Sequence, residues 1–325
     1  MRIGLTYDLQ TDPADERQAE FDPPAVLDAV SGALAALGHE PVRLGGTAEL
    51  LEQPQRLREV ALVLNLAEGR DGRCREAWVP MLLELRGVPY VGSDPLALSL
   101  GLDKVMSKRL AAAEGIATPR WASADHPSRL PRQLPFPFPA IVKPRWEGSG
   151  RGIGAGAVVR SPEALAARAA WLAARCGGPL LIEEFIPSGE LTVCVIGNSP
   201  PAALPAIQRP LDPATRLSCH VIRPIPSTGE CPLVLDEPLD AEARRIAVRM
   251  FEAIGCRDVA RVDLRADAQG RLFFLEINPL PSFDPEGSLG LIAECLGTTY
   301  AALIGRVLDA ARQRLAAPAP RAAIP

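Results

Sequence analysis

Residues 259–278, VARVDLRADAQGRLFFLEIN, constrain the fold more than any other stretch of the chain. Phe273, Phe274, Leu275 and Ile277 belong in a core, yet Glu276 and Asn278 share their strand. A buried carboxylate costs several kcal/mol unless something pairs with it. The turn-forming ADAQG joins this strand to VARVDLR, so the two read as an antiparallel hairpin. Pairing Asp263 with Glu276 makes 268–271 the connecting loop. Opposed residues share a face and side chains return to it every second residue, so Arg261 and Asn278 join them. Two carboxylates and an amide oxygen are hard donors of the kind Mg²⁺ takes alongside phosphate oxygens and water. An Arg261–Glu276 ion pair inside the sheet would account for one carboxylate and leave Asp263 and Asn278 without a purpose. The ligand expected in front of the hairpin is therefore magnesium bridged to a nucleotide.

Two other segments fit that expectation. IVKPRWEGSGRGIGAGAVV (141–159) is rich in glycine but lacks the GK[ST] of a P-loop. Its GSGRGI is followed by the strand-like GAVVR and not by a helix, which argues against a Rossmann turn. It reads as a long hairpin loop, able to fold its backbone N–H groups over phosphates, with Lys143 reaching out from the preceding strand. A mobile surface hairpin is the plainer reading, but so many glycines carry an entropic cost that decoration does not explain. LLIEEFIPSGELTV (180–193) runs from strand to strand through a link whose backbone can meet a purine edge, and Glu190 can accept from ribose hydroxyls. Alone, that stretch is an ordinary acidic connection.

The first hundred residues alternate strand and helix. RIGLTYD, the helical 22–37, ALVLNLAEG, the helical REAWVPMLLELRG and VPYVG predict a small parallel α/β domain. With 325 residues the chain exceeds what one core usually spans. A net charge of −4 offers no basic field for nucleic acid or a membrane surface. The histidines, His39, His126 and His220, lie too far apart in sequence to suggest a metal site. The scattered cysteines contain no CxxC pair, which suggests reduced thiols, mostly buried, in a cytoplasmic protein. MRIGLTYDL reads as a first strand and not a signal peptide, and no apolar run approaches the length of a membrane span. GRDGRCRE (69–76) can be a substrate loop, but a solvated charged turn before a helix is the preferred reading.

Taken together, these segments resemble the ATP-grasp superfamily and, within it, the D-alanine–D-alanine ligase family. The motifs run in the family's order over roughly residues 60–315: NLAEG, REAWVPMLLELRGVPYVGSDPLALSLGLDKVMSK, IVKPRWEGSGRGI, LIEEFIPSGELTV and CRDVARVDLR with LFFLEINPLP. The resemblance implies an α/β fold of three lobes: a parallel N-terminal domain (1–102), a central α+β lobe with the glycine-rich lid (103–186) and a C-terminal α+β lobe with the metal hairpin (187–315). A disordered tail (316–325) is expected to follow. It implies ATP and two Mg²⁺ ions, held by Asp263, Glu276 and Asn278. Lys104 and Lys143 match the phosphate-binding lysines. Glu147, Gly148, Ser149 and Gly150 form the lid segment. Glu183, Glu184, Phe185 and Ile186 match the adenine link, Glu190 the ribose ligand, and Arg261 the arginine that steadies developing negative charge. A homodimer is the family's usual assembly.

The substrate-facing parts depart from the family. The N-terminal glycine-rich stretch and its glutamate give way to GLTYDLQTDPADERQAEFD, where Asp8, Glu16 or Glu20 can stand in. The paired serines of the lid become Ser149-Gly150 with Arg151. The lysine–tyrosine segment becomes QRPLDPATRLSCHVIRP, where Arg209, Arg216 or Arg223 can replace the lysine. Pro281-Ser282 stands for Pro-Gly, and the surroundings of Ser288 differ. Candidate substrate residues are Asp8, Glu68, Ser282 and Ser288. The chain is expected to be a carboxylate–amine ligase working through an acylphosphate on small carboxylates and amines, amino acids among them, with specificity other than for two D-alanines. The rival expectations are D-alanine–D-alanine ligation and a nucleotide-binding protein without catalysis.

Overall fold

The computed structural model describes residues 1–219, 231 and 235–317. The first sheet is parallel, in the order β2-β1-β3-β4, with β1 Arg2–Tyr7, β2 Glu40–Gly45, β3 Leu62–Leu66 and β4 Tyr90–Val91. Its inner strands β1 and β3 are buried on both faces, as a covered parallel sheet requires. Ile3, Leu5, Leu62, Leu64 and Leu66 face α1 (Pro24–Ala36). Val63 points the other way, into a core with Leu44, Leu50 of α2 (Thr47–Glu52) and Leu83 of α3 (Trp78–Leu85). Gly4 lies on that second face because a Cβ there would sit 2.5 Å from Leu44. Strand β2 is the strand of this sheet that hydropathy did not single out: its outer residues are half-buried or exposed, as an edge strand allows.

The second sheet is antiparallel, in the order β5-β8-β6-β7, with β5 Trp121–Ala124, β6 Ala140–Pro144, β7 Val158–Val159 and β8 Leu180–Glu184. Between α3 and this sheet run α4 (Pro95–Leu102) and α5 (Lys104–Ala113). Strands β6 and β7 pair Ala140 with Val159, so the glycine-rich stretch is the loop of a hairpin, as its sequence suggested. Helix α6 (Pro162–Cys176) covers the sheet with Leu165, Ala169 and Leu172.

The third sheet runs β10-β9-β12-β13, with β9 Gly189–Ile196, β10 Ala202–Ala203, β12 Val259–Ala266 and β13 Leu272–Asn278; β11 (Ile207–Arg209) also pairs with β9. Helix α7 (Glu237–Ile254) lays Ile246, Met250 and Phe251 on Leu191, Val193, Val262 and Phe274. Asp236 caps its N-terminus and Gly255, at φ 80°, ends it. The last two helices, α8 (Ser288–Cys295) and α9 (Tyr300–Ala316), return to the first sheet, where Leu303, Ile304 and Val307 join the core of α1. Ala316 thus closes a helix, and 318–325 of the expected tail lie outside the described residues. The cysteines are buried only at Cys194, Cys219 and Cys256. Cys74, Cys231 and Cys295 are exposed, so the expectation of mostly buried thiols fails.

Candidate active site

The hairpin has the register its polar residues called for. Asp263 pairs with Glu276, and Arg261 with Asn278. The loop is longer than expected because the register slips after Asp263, where Leu264 pairs with Phe274. Leu275 is the extra residue, so β13 bulges beside Glu276, a device that re-aims side chains next to sites. Ala266 then pairs with Leu272, and 267–271 make the turn.

Arg261 bonds Asp263 Oδ2 at 3.1 and 2.9 Å through Nε and Nη2, and not Glu276 as the ion-pair reading required. Thr192 donates to Asp263 Oδ1 at 2.7 Å, and the Asn278 amide to Oδ2 at 3.4 Å. Glu276 lies 3.1 Å from Lys104 Nζ. Burial opposes its charge, but Lys104, Lys143 and Arg261 outweigh burial and hold it down at about 2. Glu276 is therefore an anion throughout the neutral range.

Lys104 is the first residue of α5, where Asp103 fixes it. Buried Asp103 accepts from the Val105 and Met106 N–H groups at 3.1 and 3.2 Å, and Arg145 bonds it twice at 2.7 Å. Lys104 also donates to the Glu147 carbonyl at 2.6 Å. Lys143 reaches Glu183, and so does Lys108 from the other side. Burial opposes the charge on Glu183 too, but the two ammoniums prevail and its pKa is lowered.

Two adjoining cavities share Ser149, Arg261 and Glu276. The smaller, about 110 Å³, has apolar walls in Ile141, Ile153, Phe185, Ile186, Leu217 and Leu275, with Lys143, Glu183, Glu184, Glu190 and Asp263 around them. The larger, about 410 Å³, holds Lys104, Arg209, Asn278, Ser282, Ser288, Glu68 and a set of further acids. The link residues are already engaged. Glu184 bonds Arg120 at 2.9 Å twice, the Phe185 N–H donates to Pro139, and the Ile186 carbonyl accepts from Arg265 at 2.8 Å. Glu190 accepts from the same Arg265 at 3.1 and 2.8 Å.

The lid is folded over the larger cavity. Glu20 accepts from the Gly148 N–H and from Arg75 at 2.8 and 2.6 Å. Glu147 bonds Arg151 at 2.7 Å, and Glu16 pairs with Arg175. Ser149, Gly150 and Gly152 sit at φ 46°, 70° and 69°, and at Gly152 a Cβ would also press on Leu172 at 2.9 Å. Arg73 and Arg145 lie over Trp146 beside the lid, at 5.6 and 6.0 Å.

Some candidates fall elsewhere. Asp8 is outside the lining of both cavities and accepts from the Gly69 N–H at 2.8 Å. Arg216 also lies outside both linings and donates to the Pro187 carbonyl at 3.2 Å. Arg209 is in the larger cavity, donating to Thr192 at 3.0 Å and Ser288 at 2.5 Å. His220 and Arg223 lie outside the described residues. The solvated reading of 69–76 fails at its end: residues 70–74 are exposed, but Arg75 and Glu76 are buried. Lys108 is a functional neighbour that sequence reasoning missed, although its spacing four residues after Lys104 puts both on one helical face. Thr192 and Arg265 carried no such signal.

The donor set tests the expected cation. Among the described residues no three His, Cys, Asp or Glu side chains are placed to hold a metal alone. Asp263, Glu276 and Asn278 offer two carboxylates and an amide, which fits Mg²⁺ completed by phosphate and water. Lys104, Lys143 and Arg261 surround Glu276 and can also meet the phosphates that such an ion carries.

A parallel α/β sheet followed by two antiparallel sheets, with a lysine-bearing cleft between the latter, defines an ATP-grasp protein. A sequence model described as "D-ala D-ala ligase C-terminus" matches residues 111–309. The D-alanine–D-alanine ligase of Syntrophotalea carbinolica is 35% identical over 290 residues, covering 88% of this chain and 90% of that one. The D-alanine–D-alanine ligase of Xanthomonas axonopodis pv. citri is 35% identical over 256 residues, 76% and 77% of the two chains. The uncharacterized protein y4sG of Sinorhizobium fredii is 34% identical over 300 residues, 89% and 88%. The crystal structure of D-alanine–D-alanine ligase from Bacillus anthracis complexed with ATP matches with a TM-score of 0.74 at 21% identity, covering 97% of this chain and 98% of that one, a likeness of fold. The chain belongs to the D-alanine–D-alanine ligase family.

Proposed function

We propose that the chain is an ADP-forming ligase that joins a carboxylate to an amine through an acylphosphate, with substrates other than two D-alanines. The observation that carries this reading is the pair of cavities meeting at Ser149, Arg261 and Glu276. The smaller has apolar walls for an adenine ring and Glu190 at its rim for a ribose. The larger departs from the family where substrate would bind: Arg209 occupies Ser288, and Arg75 occupies Glu20.

In this reading Lys104 and Lys143 hold phosphate oxygens, and Arg261 offsets charge on the transferring group and on the tetrahedral oxyanion that follows. Asp263, Glu276 and Asn278 would hold Mg²⁺, proposed as two ions, which supplies Lewis-acid neutralisation of the phosphates. The lid, clasped by Glu20, keeps water from the acylphosphate. The test is ADP release with ATP, Mg²⁺ and paired amino acids and small carboxylates, with product masses. ADP formed with a pair other than two D-alanines is expected. Robust D-alanyl-D-alanine synthesis overturns the specificity, and no ADP with any pair overturns the activity.

A homodimer is part of the same proposal. Trp78, Met81 and Leu85, at helical spacing on α3, are 42%, 47% and 75% exposed. Light scattering should give twice the chain mass, and Met81→Glu should shift it toward one. Among the described residues no single helix is long and apolar enough to cross a membrane.

A further inference from the structure

The larger cavity has an acidic side that phosphate chemistry does not use. Asp22, Glu68, Glu76 and Asp284 line it together with Lys104, Arg209 and Arg261, and Lys104 is near enough to Glu76 to favour its charge. Glu76 is only 8% exposed, yet no hydrogen bond or ion pair reaches its carboxylate among the described residues. Its neighbour Arg75 is turned to Glu20 at 2.8 and 2.6 Å. Burial and then repulsion from Glu20 push Glu76 up to about 8. Burial with Asp284 and Asp8 pushes Asp22 up to about 7. Glu68 is raised by burial first and then by Glu76, Glu20 and Asp22.

Carboxylates crowded in a buried space need protons or a cation. In the empty site protons serve; the carboxylates are not spaced for a metal ion among the described residues, so a cation that takes the protons' place is organic. Phe21, Pro23, Val26 and Leu280 line the same cavity and offer methylene-sized apolar contact. At about 410 Å³ the space takes a small organic molecule.

We propose that one substrate is a basic amino acid or diamine, whose second cationic group lies against Glu76, Glu68 and Asp22 while its aliphatic stem runs along the apolar wall. The inference rests on the ligase reading for the identity of the site, and names the substrate class it takes.

The test compares lysine and ornithine with norleucine and norvaline, neutral analogues on matched stems. Each is offered with a partner carboxylate or amine, ATP and Mg²⁺, reading ADP, and each is titrated calorimetrically into protein with ADP and Mg²⁺. The basic member should show a KM or Kd at least ~10-fold lower than its neutral analogue. In Glu76→Gln that ratio should collapse toward one. Asp22→Asn should lower it independently, in case Glu76→Gln does not fold. Equal affinity for lysine and norleucine in the wild type, or a ratio unmoved in both folded variants, overturns the inference. ADP formed only with neutral pairs sinks the substrate class and leaves the ligase standing. Selective, Glu76-dependent binding of lysine without ADP from any pair does the reverse.

Discussion

Glu276→Gln should cut ADP formation by roughly a thousandfold while leaving the protein folded, and Asp263→Asn should do the same. A divalent cation contributes several kcal/mol of charge stabilisation to a transferring phosphoryl group, and each 1.36 kcal/mol is about a factor of ten in rate. Both substitutions keep shape and remove one anionic donor from a set that has only two. Neither residue is a packing element: Glu276 stands partly open to the cavities, and Asp263 keeps a hydrogen bond from Thr192 through an amide oxygen. Against the cost of burial, Lys104, Lys143 and Arg261 keep Glu276 ionised near neutral pH, which suits a fixed negative charge and not a proton carrier. Turnover should therefore show no Glu276-dependent loss between pH 5 and 8. ADP release across a magnesium titration checks the point. Activity within threefold of wild type in either folded variant would remove the proposed cation site.

Legibility in the sequence followed the range of the interactions. The hairpin was legible because period-two alternation and one short turn fix both partners, and Asp263, Glu276, Asn278 and Arg261 fall together as that geometry demands. The bulge at Leu275 was not, because an extra residue in one strand leaves no mark in hydropathy. The lid hairpin was visible in its glycines, but its clasp was not: Glu20 and Gly148 are 128 residues apart and meet only once the first and second sheets are packed. Arg75 and Glu76 misled for the same reason, since a charged run reads as solvated until a cavity forms around it. Edge strand β2 escaped because its polar face dilutes the pattern that marked β3. The family order supplied roles for the nucleotide side, and it fell silent at Arg209 and Ser288, where the chain's own residues bond each other.

Glu183→Gln should destabilise the protein by about 3–5 kcal/mol, the cost of breaking a buried ion pair by removing one partner. Glu183 is 1% exposed and lies between Lys108, fully buried, and Lys143, so one carboxylate is the ion-pair partner of two ammoniums. Lys108 has other acceptors, Thr118 at 2.7 Å and the Phe274 carbonyl at 3.4 Å, but neither carries charge. The amide keeps the volume and loses the anion, leaving two lysines on β6 and α5 without their shared ion-pair partner on β8. If the unpaired ammonium is the cause, Lys108→Met in the Glu183→Gln background should recover part of the loss, because burial already pushes Lys108 down to about 8 and without Glu183 it must either stay charged unpaired or give up its proton. The pH dependence has a definite sign. A carboxylate whose folded pKa is lowered adds stability that is complete above its unfolded value and is lost as pH falls through the folded one. The gap between wild type and Glu183→Gln in denaturant melts should therefore be widest near neutrality and shrink as pH drops below the ordinary 4.5 of a glutamate. A gap that stays constant from pH 7 to pH 3, or a Lys108→Met change that adds to the damage, would mean that shape and not charge holds this junction between the second and third sheets.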